Sequence, residues 1–201
     1  MGKTEHDYYQ SLWIIATAIN LAQTRENVLR SVVEHVARTM EVKGCSLMLL
    51  TPDREHLLHT VSYGISDSYI GKGPISADKS ISDALEGIPV AVMNAIEDDR
   101  IQYHEQAEKE GIASILSVPM RLKQEIIGMA RVYTREPYQF TRDDMYFVGG
   151  VVNLGAIALE NARLYEAVGK DYDEFRRDIL EWRSALGHEW HIGKSLAPVN
   201  E

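Results

Sequence analysis

Cysteine is almost missing from this chain of 201 residues, where Cys45 stands alone. One thiol cannot form an intramolecular disulfide, and it cannot both attack and be resolved within one chain, which excludes a disulfide scaffold and self-contained thiol turnover. A reducing compartment, the cytoplasm, is therefore expected. No apolar run approaches the ~20 residues needed to span a bilayer, and the opening Met-Gly-Lys-Thr-Glu-His-Asp lacks the apolar centre of a signal peptide. No membrane partner is expected. Positive charge is also short, at 21 Lys and Arg against 30 Asp and Glu, a formal net charge of −9. Nucleic-acid binding needs clustered Lys and Arg, so no nucleic-acid partner is expected either. There is no internal repeat, no low-complexity segment and no long block of one charge.

The arrangements that mark catalysis are missing too. No Ser-His-Asp set, glycine-rich phosphate loop or paired-carboxylate spacing stands out, and the chain is not expected to be an enzyme. His188-Glu189-Trp190-His191 has its histidines three apart, whereas a shared helix face for zinc needs four. His104 has no second ligand at fixed spacing. No metal site is assigned, and the cofactor is unknown from sequence.

What is present is patterned apolar sequence, 45% of the chain, enough for one domain with helical extensions. The centre is Gly111 to Tyr133, two apolar arms around the polar break Arg121 to Glu125, which predicts a β-hairpin. Gly128 inside the second arm points to close approach of another backbone or helix. Before the hairpin, spacing predicts a helix over 4–22 and a second one opened by Thr24, with Leu29, Val32, Val33, Val36 and Met40 as its buried stripe, ended by Gly44. Strands follow at 44–50 and 57–63. The stretch from Gly64 to Gly87 reads as irregular, with a helical patch at Ser80 to Glu86, and is the natural place for a pocket lid. A strand at 90–94 and a helix at 101–110 lead into the hairpin. Thr141 and Asp144 form a capping pair that opens a long helix. The fold class is α+β, layered, with an antiparallel sheet.

Four patches, Gly-Cys-Ser-Leu-Met-Leu-Leu at 44–50, Asn-Ala-Ile-Glu-Asp-Asp-Arg at 94–100, the hairpin, and Leu-Glu-Asn-Ala-Arg-Leu-Tyr at 159–165, together resemble a GAF domain. The resemblance implies a GAF-like (PAS-related) six-stranded antiparallel sheet with helices on both faces and a long C-terminal helix. It also implies a ligand pocket between the sheet and residues 63–110, for which Ser46, Tyr63, Asn94, Arg100, Tyr103 and Ser114 are the candidate lining residues. Cyclic-nucleotide-binding members carry Asn-Lys, then Phe, then Asp-Glu; here Tyr133-Thr134, Phe140 and Asp144-Met145 keep only Phe and the first acid. The resemblance thus implies a small-molecule sensor whose ligand is unidentified, with a structural dimerisation or adaptor module as the alternative and a haem or redox sensor behind it.

From Val151 a four-three rhythm runs through Leu154, Ala158, Asn161, Tyr165, Val168, Tyr172, Phe175, Ile179, Trp182 and Leu186. Such a sustained period of 3.5 predicts a left-handed coiled coil, with Asn161 fixing register. A homodimer with parallel helices is expected, its interface formed by Leu12, Ile15, Ile19, Asn161, Tyr165, Val168, Tyr172, Phe175, Ile179 and Trp182. Gly169 is the expected hinge, and a helical hairpin folding back there is the competing arrangement. The organisation expected is a dimerisation helix over 1–22, a GAF domain over 23–168, and a coiled-coil helix with polar tail over 169–201. Its output would pass to a signalling partner such as a kinase or regulator.

Overall fold

The computed structural model describes residues 5–21, 24–76 and 82–187. In chain order these form α1 (Glu5–Leu21), α2 (Arg25–Met40), β1 (Gly44–Leu50), β2 (His56–Tyr63), α3 (Asp67–Ile70), β3 (Ile75–Ser76), α4 (Ser82–Leu85), β4 (Val90–Val92), α5 (His104–Glu110), β5 (Ser114–Leu122), β6 (Glu125–Thr134) and α6 (Arg142–Gly187). The strands make one antiparallel sheet in the order β3-β2-β1-β6-β5-β4. The hairpin β5-β6 and its neighbour β1 occupy the middle, as their apolar sequence requires: strands covered on both faces read as nearly continuous hydrophobic runs.

Side chains alternate across each strand, and the two faces bury different cores. On one face Cys45, Leu47, Leu116, Val118, Ala130 and Val132 pack under Val28, Val32, Val33 and Val36 of α2, Ile15 of α1, and Phe147, Val148, Val151 and Val152 of α6. The other face carries Met48, Leu57, Ile75, Val90 and Met129 in one cluster, and Ile115 and Tyr133 with Tyr69, Ile101, Ala107 and Ile112 in a second. We call these the helix face and the loop face. Two glycines set close approaches. A Cβ on Gly128 would lie 2.3 Å from the Met48 carbonyl oxygen, so the backbone approach expected there comes from β1; a Cβ on Gly155 would lie 2.7 Å from Val32 Cγ2, so α6 runs tight against α2.

Helix starts follow the sequence closely. Thr24 caps α2 by accepting from Asn27 N at 3.3 Å. At the start of α6, Thr141 Oγ1 accepts from Asp144 N at 3.2 Å, and the Asp144 carboxylate accepts from Thr141 N at 2.7 Å. Ends and edges differ more. α2 stops at Met40, short of Gly44, because Glu41 takes the left-handed conformation (φ 56°) and its N–H closes onto Ala37 and Arg38. The hairpin turn is only Lys123-Gln124, since Arg121 and Leu122 still pair with Ile126 and Glu125. The sixth strand is β3, two residues long, inside the stretch read as irregular.

Residues 1–162 and 163–201 separate into two compact units. α6 is helical without interruption through Gly169. The stretch Arg142–Leu164 is long and apolar enough by composition to cross a membrane, but Phe147, Val148, Val151, Val152 and Ala156 bury that apolar character in the domain's own core.

Candidate functional site

The loop face carries a polar centre inside its apolar surroundings. On β6, Met129, Arg131 and Tyr133 alternate onto this face, and β5 supplies Ser117 opposite Arg131. Arg131 is only 2% exposed. Its Nε donates to Ser117 Oγ at 3.1 Å, while Nη2, also buried, has no acceptor among the described residues. Beside it, Tyr133 OH and Ser46 Oγ share a hydrogen bond of 2.8 Å, and the Tyr133 ring meets Tyr69 edge-on, with centroids 5.8 Å apart.

The lid segment adds a second cation. Lys72 Nζ donates to the Tyr69 carbonyl at 2.9 Å and contacts His59 Nε2 at 3.1 Å, while sitting 3.4 Å from the Tyr69 ring centroid and 5.8 Å from that of Tyr103. When Lys72 is charged it only donates, so His59 Nε2 is then the acceptor and the ring proton is assigned to Nδ1. That Nδ1 is buried and lacks an acceptor as well.

The electrostatics follow from the geometry. Burial first, then the Lys72 and Arg131 charges, lower His59 to about 3, which keeps it neutral. Burial first, then Arg131, lowers Lys72 to about 7, with Glu110 opposing. Burial pushes the Tyr69 and Tyr133 hydroxyls up. Glu110 is committed elsewhere: it pairs with Lys43 at 3.3 Å and accepts from Ser66 N and Ser66 Oγ. Among the described residues no carboxylate pairs with Arg131 or Lys72. The centre is rich in donors and poor in acceptors.

The described part of the lid up to Ser76 is bonded to residues 102 and 103. Tyr103 OH donates to the Pro74 carbonyl at 2.9 Å, and Gly73 (φ 116°) passes so close that a Cβ there would lie 3.1 Å from that hydroxyl. Gln102 Oε1 accepts from Ser76 N at 3.0 Å. A groove of about 490 Å³ is lined by His59 together with Glu26, Arg30, Glu34, Ser62, Tyr63 and Ile70.

Of the six residues expected to line a pocket, Ser46 and Tyr103 belong to this centre. Tyr63 pairs with Cys45 in the β1–β2 register, whereas Ser46 pairs with Ser62. Alternation thus turns Tyr63 to the helix face, where the Arg38 guanidinium lies 5.6 Å from its ring centroid. Ser114 Oγ donates to the Met93 carbonyl at 2.6 Å and accepts from Tyr138 N at 2.8 Å, tying strand ends together. Asn94 is exposed and accepts from Ile96 N at 3.1 Å. Arg100 is exposed and bound to Asp98 at 2.6 Å. His104 Nε2 meets the Asp98 carbonyl at 2.8 Å, and His188 and His191 lie outside the described residues. The sequence reading missed Lys72, His59, Ser117 and Arg131. One signal was legible, a lone charge inside the apolar arm Ile126 to Tyr133.

The helix face offers a different kind of surface. Asp144 is buried and accepts from Tyr8 OH at 2.5 Å and Tyr138 OH at 3.2 Å as well as from its cap. Tyr8 stacks on Phe147 at 4.5 Å, so the start of α1 is fastened to the start of α6. Of the expected interface residues, Ile15 is fully buried in the chain's own core, and Leu12 is half-buried, with Cδ2 3.5 Å from where a Cβ on Gly150 would lie. Asn161 and Ile179 are exposed. The side chains of Ile19, Tyr165, Val168, Tyr172, Phe175 and Trp182 lie outside the described residues. Among the described residues, the large exposed apolar side chains of α1 are Tyr9, Trp13 (74% exposed) and Ile14; α6 adds Tyr146 (75%), Ile157, Leu164 and Ile179.

A family model described as GAF domain matches residues 22–160. Among solved structures, the GAF domain of a phosphoenolpyruvate-protein phosphotransferase from Coxiella burnetii aligns with a TM-score of 0.71 at 18% identity, covering 82% of this chain and 99% of that one. The free methionine-R-sulfoxide reductase of Neisseria meningitidis, in complex with its substrate, aligns with a TM-score of 0.69 at 15% identity, covering 82% and 95%. A domain of a putative two-component sensor histidine kinase from Sinorhizobium meliloti 1021 aligns with a TM-score of 0.57 at 17% identity, covering 71% and 94%. No curated protein matches the sequence.

Proposed function

Since the chain belongs to the GAF domain family, we propose that it is a sensory and regulatory module that holds a small molecule non-covalently on its loop face and passes occupancy through dimer helices to a partner protein. The observation that carries this reading is the pair of buried donors without acceptors among the described residues, Arg131 Nη2 and His59 Nδ1, beneath the segment that carries Tyr69 and Lys72. Leaving a buried donor unpaired costs about 1–3 kcal/mol, and native proteins tolerate it mainly where something else completes the bond. An adaptor with a collapsed pocket has no use for that cost. Sensor is therefore favoured over adaptor.

The route from site to helices is short. Arg131 and Ser117 face the lid, while their strand neighbours Ala130, Val132, Leu116 and Val118 pack with α6 and α2. A shift of β5 and β6 on ligand binding is felt directly by α6, and through the Asp144–Tyr8 bond by α1. The exposed Tyr9, Trp13 and Tyr146 supply apolar surface for a homodimer. A signalling protein such as a kinase or regulator is the partner of such a module, and the cytoplasm is its place. Catalysis by thiol chemistry finds no support in Cys45, which is fully buried, with burial pushing its thiol up.

A thermal-shift screen over nucleotides, oxyanions, amino acids and haem, with native mass spectrometry of the purified protein, tests the reading. A ligand at about 100 times its dissociation constant adds about 2.7 kcal/mol, or about 5–11 °C for a chain of this size. The sensor reading expects such a shift from at least one class. No shift across the screen and no bound mass would leave the adaptor.

A further inference from the structure

We propose that Arg131, Lys72 and His59 form the binding site for a compact anion that presents carboxylate or phosphate oxygens, received between the sheet and the lid. This rests on the sensor reading and names the chemistry of its ligand.

Among the described residues, with the His59 proton on Nδ1, every group left unmatched at the site is a donor. Arg131 Nη2 and His59 Nδ1 lack acceptors, and Lys72 Nζ has only neutral partners, the Tyr69 carbonyl and the His59 ring. Two cationic side chains share the same buried region with no described carboxylate to pair them; Glu110, whose charge acts on Lys72, is held by Lys43 and Ser66. A neutral ligand could satisfy some of these donors but would leave the charges unscreened. A cationic ligand would add to the repulsion. An anion satisfies donors and charges together, and a guanidinium held at Nε by Ser117 presents its remaining N–H groups in a fixed direction, the geometry suited to carboxylate or phosphate oxygens. Tyr69 and Tyr103 flank Lys72 and provide an aromatic wall for whatever carbon skeleton the anion carries.

Proton uptake is the second consequence. Facing Lys72 are Arg131 from β6, His59 from β2, Tyr69 from α3, Tyr103 before α5 and, further off, Glu110 of α5. With Arg131 as the dominant neighbouring charge, empty Lys72 is only partly protonated near neutrality. A bound anion offsets that charge and draws a proton onto the amine, so binding above pH 7 takes up protons and affinity falls as pH rises.

The test uses the full chain with millimolar succinate and inorganic phosphate as the two anionic probes, against adenosine and choline as neutral and cationic ones. At these concentrations general salt stabilisation is small, and it acts equally on variants. The proposal expects succinate, phosphate or both to raise the melting temperature, the stronger of the two identifying the oxyanion. It expects R131M and K72M to weaken that probe about tenfold to a hundredfold, the loss of one charge-assisted bond. Calorimetry of the unmodified protein at pH 8 in two buffers of different ionisation enthalpy should show proton uptake, and this arm needs no variant to fold. Stabilisation by adenosine or choline with none by either anion overturns the anion site while leaving a sensor. Anion binding that survives both substitutions, or proceeds without proton uptake at pH 8, overturns the assignment to these residues. No response to any probe in the wider screen counts against the sensor reading itself.

Discussion

Replacing Arg131 by methionine is expected to stabilise the empty protein, which is opposite to the usual effect of changing a buried residue. The side chain is 2% exposed and makes one described hydrogen bond, Nε to Ser117 Oγ. Losing that bond and leaving the serine hydroxyl unpaired costs about 1 kcal/mol. Against this, the substitution removes a buried cation whose Nη2 has no acceptor, worth about 1–3 kcal/mol, and relieves its repulsion with Lys72. Methionine is unbranched and adaptable enough to fill the vacated channel beside Met48 and Met129, and exchanging buried ionic groups for apolar ones of similar volume is commonly neutral or stabilising. The net gain is about 1–2 kcal/mol, or about 2–8 °C in melting temperature. Urea denaturation of both proteins without ligand, read by circular dichroism, measures it, with an unchanged m-value showing that the fold is kept. Destabilisation by more than about 1 kcal/mol would refute the reasoning, because it would mean that Arg131 is a paired structural residue and its donors are not held in reserve.

Three other outcomes follow from the same contacts. Lys72 sits at about 7, below the ordinary lysine value, so between pH 7 and the ordinary value the unfolded chain binds more protons and stability rises with pH. K72M should therefore stabilise the empty protein more at pH 6 than at pH 9, by about 1–2 kcal/mol after allowing for solvent screening; equal effects at both pH values would contradict the depressed amine. D144A should cost about 2–4 kcal/mol, since Tyr8, Tyr138 and the Thr141 cap all lose their acceptor. Hydrogen exchange should then accelerate first in α1, and uniform acceleration would argue against Asp144 as the fastening point. I179C, with Cys45 buried, should cross-link two chains under oxidation if the C-terminal helices run parallel in a dimer established by light scattering, and an uncross-linked dimer would reject that arrangement.

Local chemistry made much of the fold legible in the sequence. The β5–β6 hairpin, β1, the Thr24 cap and the Thr141–Asp144 pair all depend on neighbours in the chain, and the structure places them where the sequence does. β3 escaped because two residues carry no periodicity; only its pairing with His56 and Leu57 defines it. The end of α2 escaped because Glu41 takes a left-handed conformation that sequence usually reserves for glycine.

The site was less legible. Ser46 and Tyr63 look equivalent along their strands, but the register opposes Ser46 to Ser62 and sends Tyr63 to the helix face, a one-residue difference that inverts the facing of a strand residue. Lys72, flanked by Gly71 and Gly73, reads as an ordinary loop charge until the lid lays it over Tyr69 against His59. Arg131 could have been suspected from its place among Ala130, Val132 and Tyr133. That its Nη2 lacks an acceptor among the described residues is a fact of tertiary structure alone. On α1, the apolar spacing that suggested an interface through Ile15 was answered by the chain's own core, while Trp13, on the opposite side of the periodic stripe, is exposed.

The measurement that bears most directly on a loop-face ligand site uses the protein's own methionines. Met48 and Met129 are buried on the loop face, on strands that carry Ser46 and Arg131, whereas Met120 is buried against the helices and Met40 and Met145 pack at that same core. With methyl-labelled methionine, titration with succinate or phosphate should move the Met48 and Met129 resonances first and saturably, leaving Met40 and Met145 with smaller shifts relayed through the strands. Shifts confined to Met40, Met120 and Met145, with Met48 and Met129 unmoved at saturation, would place the ligand on the helix face and contradict the account.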